Sequence, residues 1–238
     1  MDDLENLQID RTPSPERPLL GLTVLVVEDS RFACEAMRLL CLRSGARIRR
    51  ADCLRSARRH LRVYRPSVTI VDLGLPDGSG AELIAELAAG SPRIPVILGT
   101  SGDDFAEDMA VAAGADGFML KPIVSLINFQ ELILSLLPPE RQPTGPRPLT
   151  EVELHPDQIA FQDDMAHIAG ILCDGTDDKT MDYVGQFLSG VARIAHDDAL
   201  SDAAEKLILM RREGQPVGSQ TARIAGLIQE RLTHRIAI

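Results

Sequence analysis

Three carboxylates, a hydroxyl and an ammonium each stand at the end of a short apolar run. Glu28 and Asp29 follow Val24-Leu25-Val26-Val27, Asp72 follows Val68-Thr69-Ile70-Val71, Thr100 follows Pro95-Val96-Ile97-Leu98-Gly99, and Lys121 follows Gly117-Phe118-Met119-Leu120. Carboxylates crowded into one crevice repel unless a hard cation such as Mg²⁺ neutralises them. A hydroxyl and an ammonium beside that cation would suit the oxygens of a phosphoryl group. A carboxylate such as Asp72 can attack phosphorus only when its repulsion from the phosphoryl oxygens is cancelled, so the expected chemistry is metal-dependent phosphoryl transfer.

Such convergence needs a particular scaffold. An apolar run bounded by turn residues and followed by a helical pattern reads as a buried parallel strand. In an open α/β sheet, residues just past the carboxyl ends of the strands meet in one crevice. From Gly21 to Leu137 the pattern alternates strand and helix five times: strands at about 22–27, 46–51, 67–71, 94–98 and 116–120, and helices at about 31–44, 53–63, 79–89, 103–113 and 124–137. This rhythm with short loops predicts a doubly wound parallel α/β sheet. Ala46-Arg47-Ile48-Arg49-Arg50-Ala51 alternates over most of its length, as an edge strand should.

Val27-Glu28-Asp29-Ser30, Asp72-Leu73-Gly74-Leu75-Pro76-Asp77-Gly78-Ser79-Gly80, Thr100-Ser101 and Lys121-Pro122 resemble the signature positions of the receiver domain of two-component response regulators, over about residues 20–137. The resemblance implies a flavodoxin-like five-stranded sheet of order 2-1-3-4-5. It also implies Asp72 as phosphoacceptor, Asp29 as a direct Mg²⁺ ligand, Glu28 as a ligand through water, and the Gly74 carbonyl as a further ligand. Thr100 would bind a phosphoryl oxygen, Lys121 would pair with it, Phe118 would be an aromatic switch, and Lys121-Pro122 would be cis. Other roles stay open: the acidic residues could cap the following helices, and Phe118 could be plain core.

Residues 1–20 are polar, hold three prolines and show no period, so a mobile arm is expected there. Pro138 to Pro148, with five prolines, reads as a semi-rigid linker and places a domain boundary at 138–149. Beyond it the pattern is helical only: about 155–173, a stretch from Asp177 to Arg212 with a break near 196–198, and about 217–236. Their apolar stripes need one another, which predicts a small helical bundle over 150–238. Leu188-Ser189-Gly190-Val191-Ala192 and Ala199-Leu200-Ser201-Asp202-Ala203-Ala204-Glu205-Lys206-Leu207, with Arg212-Glu213-Gly214 beyond, look like the second half of a histidine phosphotransfer domain. Where that family has His, this chain has Gln186, and Ser189 replaces its lysine. The resemblance implies a docking shape without a phosphorylatable imidazole. His167 and His196 are the alternative carriers in an active phosphorelay intermediate.

Composition narrows the rest. The bundle region carries eight basic against fifteen acidic residues. That balance disfavours nucleic-acid output, the rival reading as a transcription or antitermination regulator. Residues 31–65 hold eleven arginines against Glu35 and Asp52, a net +9 in a chain whose total is −10. That block is either a docking surface for an acidic partner or a solvated face. Cys34, Cys41, Cys53 and Cys173 lack metal-site spacing, no histidine pair suits zinc, and no run is long and apolar enough for a membrane span. The acidic start is unlike a signal peptide. The expectation is a cytoplasmic response regulator with a histidine kinase or phosphotransfer protein upstream, a protein partner downstream and possible oligomers. No separate catalytic output domain is recognised.

Overall fold

The computed structural model describes residues 12–103, 105–145, 157–175 and 177–233. The first half is a five-stranded parallel sheet. Its strands are β1 (Thr23–Val27), β2 (Arg47–Ala51), β3 (Val68–Asp72), β6 (Val96–Ser101) and β7 (Gly117–Leu120). The two-residue strands β4 (Gly74–Leu75) and β5 (Gly78–Ser79) form a separate antiparallel ribbon between them. The sheet order is β2-β1-β3-β6-β7, which is the expected 2-1-3-4-5 once the ribbon is set aside.

Period-two alternation explains why the strands are apolar on both faces. Val24 and Val26 of β1 point into a core shared with Cys34, Met37 and Leu40 of α1 (Arg31–Ser44) and Phe129 and Ile133 of α5 (Leu126–Leu136). Leu25 and Val27 point the other way, against Leu54 and Ala57 of α2 (Leu54–Val63), Leu83 and Ile84 of α3 (Gly80–Ala89), and Ala106 and Ala110 of α4 (Ala106–Ala112). β2 lies at the edge with Arg47, Arg49 and Arg50 exposed. α1 starts on Ser30, whose Oγ accepts from Ala33 N, and ends on Gly45 at φ 83°, a left-handed cap that glycine adopts without penalty.

Three boundaries differ from the sequence reading. The arm expected over 1–20 is packed by residue 18: Pro18 and Leu19 are buried, and Leu19 N donates to Ser44 O at 2.9 Å. Residues 1–11 lie outside the described residues. α4 begins at Ala106 rather than near 103 because Asp103 is engaged in a turn, its Oδ1 accepting from Phe105 N at 3.0 Å. The expected linker starts as a cap: residues 139–141 form a 3-10 turn, and the Gln142 amide donates to the carbonyls of Leu134 and Leu137. Residues 146–149 of that linker are outside the described set.

Among the described residues the second half is four helices: α6 (Gln158–Asp174), α7 (Asp178–Ala195), α8 (Asp198–Arg212) and α9 (Gly218–Thr233). The predicted break falls at His196, which caps α7 at φ 54°. Phe161, Met165, Ile168, Met181, Val184, Leu188, Leu200, Leu207, Ile224 and Ile228 fill the bundle's core. That core also takes in Phe32 and Ala33 from the start of α1, with Phe32 and Phe161 edge to face at 5.5 Å. The bundle is therefore seated on the receiver half through shared apolar burial. Among the described residues, no helix is long and apolar enough to cross a membrane.

Candidate functional site

The strand ends bring Glu28, Asp29, Asp72 and Lys121 together. One carboxylate oxygen from each acid lies within 4.8 Å of the others. Lys121 Nζ sits between two of them, 2.6 Å from Glu28 Oε2 and 2.8 Å from Asp72 Oδ2. Glu28, Asp72 and Lys121 are all buried. Burial works against charge on Lys121, but Asp72 and then Glu28 outweigh it and hold the ammonium above its ordinary range. For Glu28 the balance runs the other way: burial first, with Asp72 and Asp29 adding to it against Lys121, pushes the carboxyl up to about 8. Burial and Asp72 push Asp29 up to about 6.

One cation facing three carboxylates leaves negative charge uncompensated. Asp29 Oδ1 is buried with no hydrogen-bond partner, an arrangement that costs stability unless an ion or water completes it. These residues fit a hard divalent cation. Gly74, whose carbonyl is the fourth expected ligand, starts the ribbon directly after β3. The ribbon returns the chain so that α3 starts against the backbone of Asp72. A Cβ on Gly80 would lie 1.9 Å from Asp72 O, so only glycine fits there.

Two predicted residues make other contacts, although Thr100 is the register partner of Asp72 on the neighbouring strand. The Thr100 hydroxyl donates to Met119 O at 2.8 Å, along the sheet. Phe118 is half-buried, packed with the core on the α2–α4 side of the sheet and lying beside Gly99. Lys121-Pro122 is cis.

The bundle adds residues that sequence reasoning missed. Tyr183 of α7 donates to Asp29 Oδ2 at 2.6 Å. Asp164 of α6 caps α1 from outside, accepting from Ser30 Oγ at 2.6 Å, Arg31 N at 2.8 Å and Phe32 N at 3.0 Å. Arg193 donates to Gly102 O at 2.8 Å, and Arg212 pairs with Asp103 at 2.6 Å. A Cβ on Gly190 would sit 3.6 Å from Lys121 Cδ, so the helix backbone itself lies beside the lysine. A signal was available. Tyr183, Gln186, Gly190 and Arg193 recur at spacings of three, four and three, which puts them on one face of a helix, and Asp164 interrupts an apolar stripe. His196 is an exposed helix cap, and His167 lies 3.3 Å from the Tyr183 hydroxyl. His155 and His234 are outside the described residues.

Between α7 and the strand ends remains a cavity of about 20 Å³, lined by the acidic cluster, Lys121, Gln186 and Gly190. That is room for about one water. It does not hold a phosphoryl group.

Residues 24–133 match the family model of the response regulator receiver domain. That half of the chain is a receiver domain. The virulence transcriptional regulatory protein PhoP of Salmonella typhimurium is 32% identical over 102 residues, covering 42% of this chain and 46% of PhoP. The KDP operon transcriptional regulatory protein KdpE of Escherichia coli is 30% identical over 128 residues, covering 54% of this chain and 56% of KdpE. The chain thus spans about half the length of the curated relatives it matches. A response regulator structure from Chloroflexus aurantiacus superimposes with TM-score 0.45 at 24% identity, over 48% of this chain and 96% of that one.

Proposed function

We propose that Asp72 accepts a phosphoryl group from a histidine kinase or histidine phosphotransfer protein, with Mg²⁺ held by Glu28, Asp29, Asp72 and the Gly74 carbonyl, and that the phosphate lifts the helical bundle to expose a protein-binding surface. When bound, Mg²⁺ would supply the positive charge that lets two anionic groups meet. An oxygen of Asp72 bonds to phosphorus as the bond to the donor breaks, the electron pair leaving with the donor. Lys121, already paired with Asp72, follows the charge onto the phosphoryl oxygens. The Thr100 hydroxyl, released from Met119 O, turns toward them and leaves space for Phe118.

The observation that carries this reading is the seal over Asp72. A cavity of about 20 Å³ forces a choice between a docked bundle and a phosphorylated Asp72. Phosphorylation therefore biases an existing equilibrium between docked and lifted bundle. The bundle's acidic charge makes a protein its expected target rather than nucleic acid. The receiver's chemistry is confined to its own phosphoryl group, and the protein works in the cytoplasm.

Full-length protein labelled with acetyl phosphate tests this, with phosphate followed by intact mass. Label should require a divalent cation and vanish in Asp72→Asn. Beryllofluoride with Mg²⁺ should speed hydrogen exchange across residues 181–193. Label persisting in Asp72→Asn, or unchanged exchange in α7, would refute it.

A further inference from the structure

Gln186 stands where the resemblance to phosphotransfer domains calls for a histidine, and α7 brings it to the phosphoacceptor. A Cβ on Gly74, two residues past Asp72, would lie 2.7 Å from Gln186 Oε1. The side chain lines two spaces: the cavity of about 20 Å³ over Asp72, and an open cleft of about 470 Å³ between the receiver and α7–α8. It is exposed on the cleft side. With Ser101 and Gly102, Gln186 thus stands between that cleft and the space over Asp72.

Its chemistry is unspent. Apart from Asp29 Oδ1, the other polar side chains of the small cavity are committed: Lys121 to Glu28 and Asp72, Asp29 Oδ2 to Tyr183, Ser30 to Asp164, and Ser101 to Asp103 N. The Gln186 amide has no hydrogen-bond partner among the described residues. A carboxamide carries one accepting oxygen and two donated protons. It can therefore accept from a water while donating to a phosphoryl oxygen, the arrangement by which glutamine orients attacking water in GTP hydrolysis.

We propose that the bundle also ends the signal, with Gln186 acting as a catalytic residue that orients water for hydrolysis of the Asp72 phosphate. This rests on Asp72 being the phosphoacceptor. The sequence of events follows from the size of the cavity. Phosphate enters while the bundle is lifted. As the bundle returns, and before the cavity closes, Gln186 on the facing side of α7 comes up to the phosphoryl group with cleft water between amide and phosphorus, and full docking follows once the phosphate has left. α7 covers Asp72 from the solvent side, so that water approaches phosphorus opposite the Asp72 oxygen, as in-line displacement requires. The water oxygen bonds to phosphorus, the bond from phosphorus to the Asp72 oxygen breaks, and its electron pair restores the carboxylate. Both water protons leave on the product, dihydrogen phosphate. The amide gains and loses none.

The test uses the full chain, phosphorylated with acetyl phosphate and Mg²⁺ and then freed of donor by gel filtration. Decay of the aspartyl phosphate is followed by intact mass for wild type, Gln186→Ala and Gln186→Met. Methionine keeps the length and volume that press on Gly74 but has no amide, so it separates chemistry from packing. Both variants should lengthen the phosphate half-life by about tenfold or more, the scale on which loss of a positioned reactant acts. Gln186→Asn should recover part of the rate, since it retains the amide. Decay of Gln186→Met at the wild-type rate would overturn the proposal, as would faster decay in Gln186→Ala, which marks a plug that keeps water out. If no chain acquires phosphate on Asp72, the phosphoacceptor reading itself fails and the proposal with it.

Discussion

Asp164→Ala should release the bundle without unfolding it, and its size can be worked from the contacts. The carboxylate accepts three hydrogen bonds from the first turn of α1 at 2.6, 2.8 and 3.0 Å, and it is 2% exposed. Bonds to a charged acceptor contribute about 1.5–3 kcal/mol each. Burial opposes them and raises the Asp164 carboxyl above its usual range, so each bond contributes about 1 kcal/mol, as an ordinary hydrogen bond does. The sum is about 3 kcal/mol, or roughly 10²-fold in the docking equilibrium. The loss is confined to the docked state, because Arg31 N and Phe32 N recover water once the bundle lifts. Ser30 Oγ still caps α1 through Ala33 N at 2.9 Å, so the receiver should fold normally. Labelling of Asp72 by acetyl phosphate should accelerate by up to that factor, with faster hydrogen exchange at residues 30–34 and 158–168. Unchanged labelling and exchange in a protein with wild-type circular dichroism would refute the coupling of the bundle to phosphoacceptor access.

Tyr183→Phe removes the hydroxyl that occupies Asp29 Oδ2; with about 1 kcal/mol no longer spent displacing it, Mg²⁺ should bind about fivefold tighter by titration calorimetry. Burial pushes the Cys34 and Cys41 thiols up to about 12. At pH 8 Ellman's reagent should therefore react promptly with exposed Cys173 and with those two only after unfolding. The folded state holds both thiol protons between the ordinary value near 8.5 and about 12, so stability should fall as pH rises through that window, read by denaturant midpoint. Arg55, Arg59 and Arg62 are exposed around a concavity of about 500 Å³. Replacing all three with Ser should slow transfer from an acidic phosphodonor protein at low salt and flatten its salt dependence in stopped-flow measurements; identical salt slopes would reduce the patch to a solvated face.

Much of this protein was legible one strand at a time. Val24 to Val27, Val68 to Val71 and Val96 to Leu98 are apolar on both faces, a pattern that only a sheet covered on both sides can bury. Parallel strands then carry Glu28, Asp29, Asp72 and Lys121 to one edge without further instruction, so the acidic cluster needed no tertiary information. The helices of the second half were likewise readable from stripes such as Met181, Val184, Leu188 and Val191. Their common burial follows from the hydrophobic effect alone.

Where the bundle sits was not readable in that way. Docking joins residues more than a hundred positions apart: Phe32 with Phe161, Asp29 with Tyr183, Ser30 with Asp164, and Asp103 with Arg212. No period links such pairs, and each residue has an ordinary local role: Phe32 as helix core, Ser30 as an N-cap, Arg212 as a basic residue in a last turn. The amide at Gln186 was visible as a departure from a pattern, but only the docked helix sets it beside Asp72. The sequence by itself determined what chemistry the strand ends can do. The tertiary structure decided what may reach it, because access depends on a surface shared by two units, and the burial that holds them together is non-directional until both are folded.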